Sequence, residues 1–211
     1  MIRLVSALIG LTIIAQIAQS DTSSKIDRTL YWPTSVGDTW VYRITLGGKS
    51  FGEEKVVVAE VTEKDGVIIL SLDQERDGER WRIKERFGVS PKGVYLFHEE
   101  ESWSKTREPR DCLLRFPVKE GNSWEVVAKE RRSLALTEPT LQFKVRKEDE
   151  LELPVGTLRA VRIDGFAGEM TSPPVITRWF APGLGIVRIV RPDKEIGDWV
   201  KELKSFTSGK K

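Results

Sequence analysis

Apolar and polar residues alternate along much of this chain with a period of two. Across 39–46, Trp40, Tyr42, Ile44 and Leu46 are apolar while Thr39, Arg43 and Thr45 are polar; later, Leu141, Phe143 and Val145 alternate with Gln142, Lys144 and Arg146. Successive side chains of a strand point to opposite faces, so this pattern predicts strands with one buried and one wet face. Further strands are expected near 55–63, 67–75, 79–87, 93–101, 111–116, 123–131, 150–153, 157–165, 175–180, 185–191 and 199–206. Gly, Pro and Asp punctuate them at Lys64-Asp65-Gly66, Asp77-Gly78, Ser90-Pro91-Lys92-Gly93, Pro154-Val155-Gly156 and Pro182-Gly183. No run of ten or more residues carries a helical stripe, and a short helical turn around 129–137 is the most the pattern allows. Short strands joined by short connections predict an all-β fold: a curved antiparallel meander or half-barrel rather than parallel crossovers.

One phrase occurs twice. Trp32-Pro33 leads to Gly37-Asp38-Thr39-Trp40, and 84 residues later Phe116-Pro117 leads to Gly121-Asn122-Ser123-Trp124. Pro fixes its own φ, Gly followed by Asp or Asn permits a tight turn, and the Trp opens a strand with a large apolar anchor. Two such openings predict two internally similar halves, roughly 31–103 and 115–206. A unit this small closes a core poorly by itself, so the halves are expected to share one core. Trp81 and Trp179, each beside an Arg and before a Gly/Pro turn, are candidates for a second pair of core anchors.

Residues 1–20 stand apart from this pattern. A positive start at Arg3, an apolar run from Leu4 to Ala18 and the small residues Ala18 and Ser20 before Asp21 have the order of a secretory signal peptide. The run falls short of the roughly 20 residues that span a bilayer. The mature chain, 21–211, is expected to be a single β domain, periplasmic or secreted, and not an integral membrane protein after cleavage. Without Arg3, its basic side chains outnumber its acidic ones by one. That balance argues against a nucleic-acid partner, which needs clustered positive charge. The single cysteine, Cys112, rules out an internal disulfide and reads as a buried strand thiol.

Three phrases, Tyr31-Trp32-Pro33 through Trp40-Val41-Tyr42, Leu153-Pro154-Val155-Gly156-Thr157-Leu158-Arg159-Ala160 and Trp179-Phe180-Ala181-Pro182-Gly183-Leu184-Gly185-Ile186-Val187, run in order from the first strand to the last hairpins. With them the chain resembles uncharacterised exported bacterial β-rich proteins. The resemblance implies a curved sheet similar, by fold-level analogy, to the half-barrel of periplasmic lipoprotein carriers. It carries over no catalytic residue.

The chemistry is sparse. The only histidine, His98, has no Gly-x-Ser-x-Gly elbow to serve and too few companions for a zinc site. Glu99–Glu101 and Glu148-Asp149-Glu150 are consecutive strand residues that point to opposite faces, so they read as solvated edges rather than a calcium site. Arg80, Arg82, Lys84 and Arg86 fall on one strand face and form a candidate ligand-binding row for an anionic group. The plainer reading is a cross-strand ladder with Glu99–Glu101. Trp103 and Trp199, in polar surroundings, are candidates for exposed aromatics. No cofactor or metal is implied. The expected function is that of a non-enzymatic binding or envelope-associated module for a lipid or other amphipathic ligand. The alternatives are a structural or protein-interaction module with an envelope partner, and third a hydrolase-type enzyme.

Overall fold

The computed structural model describes residues 32–97, 111–127 and 140–209, with the backbone alone for 79–84. Residues 1–20, His98, Glu99–Glu101, Trp103 and the expected helical turn at 129–137 lie outside the described residues. Among the described residues twelve strands are present: β1 Thr39–Leu46, β2 Lys49–Lys64, β3 Val67–Arg76, β4 Glu79–Ser90, β5 Gly93–Phe97, β6 Asp111–Arg115, β7 Ser123–Val127, β8 Thr140–Leu153, β9 Gly156–Ala167, β10 Ile176–Ala181, β11 Gly185–Arg191 and β12 Trp199–Thr207. No helix occurs among the described residues. All twelve strands join in one antiparallel sheet, ordered β6-β5-β4-β3-β2-β1-β12-β11-β10-β9-β8-β7.

The first strand therefore pairs with the last, and the middle of the chain supplies both sheet edges. The sheet curls until those edges approach: the Trp124 indole on β7 donates to the Cys112 carbonyl on β6 at 2.9 Å. The result is a nearly closed barrel. Register shifts at Val41/Tyr42, Ile44/Thr45, Val58/Glu60, Leu72/Gln74, Val94/Tyr95, Val145/Glu148 and Trp179/Phe180 sharpen its curvature, because a bulged strand bends and twists more strongly.

Local chemistry sets the hairpins. Gly47-Gly48, Asp65-Gly66 and Asp77-Gly78 each supply two consecutive residues of positive φ, the requirement of the two-residue turn whose twist matches the flanking strands. Asp77 also accepts a bond from the Glu53 amide at 2.9 Å, tying this turn to β2.

The two Trp phrases adopt the same turn. Gly37 and Gly121 sit at φ 87° and 86°. Their amides donate to the carbonyls of Val58 and Val145, and the amides of those valines donate back to the Asp38 and Asn122 carbonyls. Trp40 and Trp124 are both buried. Trp40 donates to the Leu184 carbonyl at 2.7 Å, so each indole buries its ring and satisfies its N–H, as buried indoles must.

The interior is filled mainly by the alternating apolar positions, including Trp40, Ile44, Leu70, Val145, Ile163 and Phe180. On the outer face, buried Asp164 receives Arg146 and Arg162, each at 2.8 Å, and the Thr177 hydroxyl at 3.1 Å. Trp179 is buried on this side of β10, between the guanidinium groups of Arg162 and Arg188 at 5.8 and 5.2 Å, with its N–H on Asp149.

Candidate functional site

The packed interior leaves a half-open cavity of about 290 Å³. Its walls come from β1–β6 on one side and β10–β12 on the other, so both halves of the chain build it. The lining changes character along the strands. Two residues along, Val56 gives way to Glu54 on β2, Leu72 to Gln74 on β3, Phe87 to Glu85 on β4 and Ile189 to Arg191 on β11. The strands are antiparallel, and these steps all run toward the same end of the barrel. With a rise of about 3.4 Å per residue, each polar side chain lies roughly 7 Å along its own strand from the apolar one.

The apolar end is aromatic: Trp32 stacks on Phe87 at 4.9 Å between centroids and packs against Trp40 at 6.2 Å. At the polar end, Lys201 pairs with Glu54 and lies 4.3 Å over the Tyr42 ring. The Tyr42 hydroxyl donates to the Ile186 carbonyl at 2.9 Å. Burial, and then the charge of Glu54, push its pKa far above the usual phenol value, so it stays a neutral donor. Arg191 lies 5.2 Å over the ring of Trp199.

Arg178 is the exceptional lining residue. It sits between Ile176 and Phe180 on the inward parity of β10, opposite buried Ile163 of β9. Its guanidinium lies 5.1 Å over the Phe143 ring, and its Nη1 is shielded from solvent without a hydrogen-bond partner among the described residues. Burial, and then the like charge of Arg191, lower its pKa to about 10, against the opposing pull of Asp111. It is therefore charged at neutral pH, in surroundings that disfavour the charge. A second shielded donor of the same cavity, Nε1 of Trp32, also has no partner among the described residues.

Of the row expected to bind an anion, Arg86 lies 5.8 Å over the Phe97 ring. The alternation of β4 puts it on the opposite face from the cavity-lining Glu85 and Phe87. The side chains of Arg80, Arg82 and Lys84 lie outside the described residues, as does any ladder to Glu99–Glu101. The acidic run of β8 is split as expected: Glu148 meets Arg159 at 3.7 Å, whereas Asp149 takes the Trp179 indole. Among the described residues no group of His, Cys, Asp and Glu is placed to hold a metal ion. Cys112 is buried. Trp199 lines the cavity, a better-defined role than an isolated exposed aromatic.

Reading the sequence for charge clusters missed Arg178, Arg191, Lys201 and Glu54. The signal was parity: Arg178 stands where Ile176 and Phe180 predict an apolar side chain, and Lys201 stands between Trp199 and Leu203. A larger trough of about 550 Å³, lined by Glu53, Lys55, Glu75 and Asp77 among others, lies on the other face of β2 and β3. It is shallow and charged, and Lys55 and Glu75 already pair within it at 3.6 Å.

The fold is that of a known structure. A crystal structure described as "a putative exported protein with YmcC-like fold" from Bacteroides fragilis matches with a TM-score of 0.53 at 11% identity, over 85% of this chain and 99% of its own. A "putative lipoprotein" from Parabacteroides distasonis aligns over 83% of this chain and 97% of its own, with a TM-score of 0.45 and 11% identity. No family model and no curated protein matches the sequence.

Proposed function

We propose that the protein is an exported, non-enzymatic binding module that holds an amphipathic ligand inside its nearly closed barrel. The observation that carries this reading is the graded lining of the cavity, apolar and aromatic at one end and charged at the other. Its volume is at the lower end of the roughly 300–1,000 Å³ of small-molecule sites, which suits a short amphiphile or one chain of a larger lipid. Export rests on the leader-like segment 1–20, and the Bacteroides fragilis neighbour of the same fold is in keeping with it. The paired Trp turns are in keeping with an internal repeat whose two halves enclose the cavity together. Of the basic row, Arg86 faces away from the cavity, and Arg80, Arg82 and Lys84 remain a second candidate locus for the anionic end of a ligand, at the rim.

Titration with phenylnaphthylamine, a neutral apolar fluorophore, tests the cavity. Saturable enhancement is expected, and Ile189→Trp, which fills the cavity from a partly buried position, is expected to abolish it while the protein stays folded. Equal binding by the filled variant places the ligand elsewhere. Absence of binding by wild type favours the structural or protein-interaction module.

A further inference from the structure

We propose that Arg178 is the anchor for the head group of the ligand, and that this head group is a single carboxylate, making the ligand class a medium-chain alkyl carboxylate. The inference rests on the binding role proposed above and names the chemistry of that site.

The argument begins with the donors. A shielded guanidinium nitrogen without a hydrogen-bond partner is costly in a folded interior, because a buried donor loses water and gains nothing in exchange. Arg178 Nη1 is such an atom among the described residues, and Arg178 lines the cavity. Its neighbours do not relieve it. Phe143 offers a ring face, Arg191 offers a like charge and Asp111 acts only through its charge. A planar guanidinium presents several donors in a fixed fork, a geometry that matches a carboxylate. Trp32 Nε1 is a second donor in the wall without a partner among the described residues.

The charge of the lining sets the valence. Among the described residues, Arg178, Arg191 and Lys201 stand against Glu54 and Glu85 in the lining and against Asp111, whose charge reaches Arg178, so no cationic excess remains. Lys201 is already paired with Glu54, and Glu85 also has a partner. One negative charge answers the open guanidinium donor; the second charge of a phosphate monoester would meet Glu54, Glu85 and Asp111 with no further cation to hold it. The apolar lining residues Val56, Leu72 and Phe87 then take the alkyl chain.

Calorimetric titration of the mature protein with decanoate, decanol, decyl phosphate and acetate separates the contributions of head and tail. Decanoate is expected to bind saturably and at least tenfold more tightly than decanol or decyl phosphate, with acetate silent. In Arg178→Gln the decanoate preference is expected to vanish while decanol binds as before, with a melting temperature no lower than that of wild type. Arg82→Gln/Lys84→Gln is expected to keep the preference. Equal binding of decanoate and decanol by wild type, or a preference that survives Arg178→Gln, overturns the anchor and leaves the binding module standing. A preference lost in the Arg82→Gln/Lys84→Gln variant moves the head group to the rim and also overturns it. Tighter binding of decyl phosphate overturns the carboxylate assignment. Saturable binding of none of the alkyl compounds removes both the anchor and the binding role.

Discussion

Arg178 concentrates the tension between stability and function in one residue. Its pKa of about 10 lies well below the ordinary guanidinium value, so the folded state disfavours its charge. For a base lowered in this way, the charge penalty is present at neutral pH and is relieved only as pH rises from about 10 toward the ordinary guanidinium value. Arg178→Met should therefore stabilise the protein at pH 7, with a ceiling of about 3 kcal/mol from a displacement of that size. Denaturant midpoints for the pair should converge above pH 10. A variant less stable than wild type at pH 7 contradicts the burial argument. The outer face works in the opposite sense. Asp164 is buried and answers two arginines and a threonine, so Asp164→Ala is expected to cost about 2–3 kcal/mol, moderated by the partial exposure of both arginines. Trp40→Ala and Trp124→Ala are each expected to cost about 3–5 kcal/mol, the range for large buried aromatics. Chemical denaturation of the three variants measures these effects, and near-wild-type midpoints for both Trp variants would show that the two turns are not core anchors.

At the scale of elements, two glycines do work that no turn explains. A Cβ on Gly88 would meet the Phe97 ring at 2.5 Å, and one on Gly165 would meet the Phe143 ring at 2.6 Å and Ile176 at 2.7 Å. Both lie within strands, where glycine often marks a close approach. Gly88→Ala and Gly165→Ala are each expected to destabilise by about 1–3 kcal/mol by overpacking, read from thermal or denaturant midpoints; an unchanged midpoint would mean the rings move aside freely. Most strands were legible from alternation and from Asp-Gly turns, since those signals are local. Bulges were not. The shift between Val145 and Glu148 made β8 read as two pieces, 141–146 and 150–153, although it is one strand. The beginning of β2 was missed as well, because Lys49–Glu54 is mostly polar and is held by pairing with Thr45, Leu46 and other β1 residues. A strand specified by its partner leaves little trace in its own residues.

At the scale of the molecule, the sequence announced an all-β fold with paired openings but not that β1 meets β12 or that β6 and β7 approach each other across the edges. Closure depends on accumulated twist and on contacts between distant residues, such as Trp124 with Cys112. The cavity was hidden for the same reason: its lining converges from strands at both ends of the chain, and only a charged residue on inward parity betrays it. For export, the expected mature protein begins at or near Asp21, which intact-mass analysis after secretion by a bacterial host checks; a species retaining Met1 would exclude cleavage. The central claim is that the graded cavity holds an amphipathic ligand. Native mass spectrometry of protein isolated from its own cell envelope, without detergent exchange, tests it most directly. The account predicts a retained adduct with the mass of an alkyl carboxylate or a larger lipid, released on denaturation and absent from Ile189→Trp. Protein that arrives without any adduct, and takes up none when envelope lipids are added back, would contradict it.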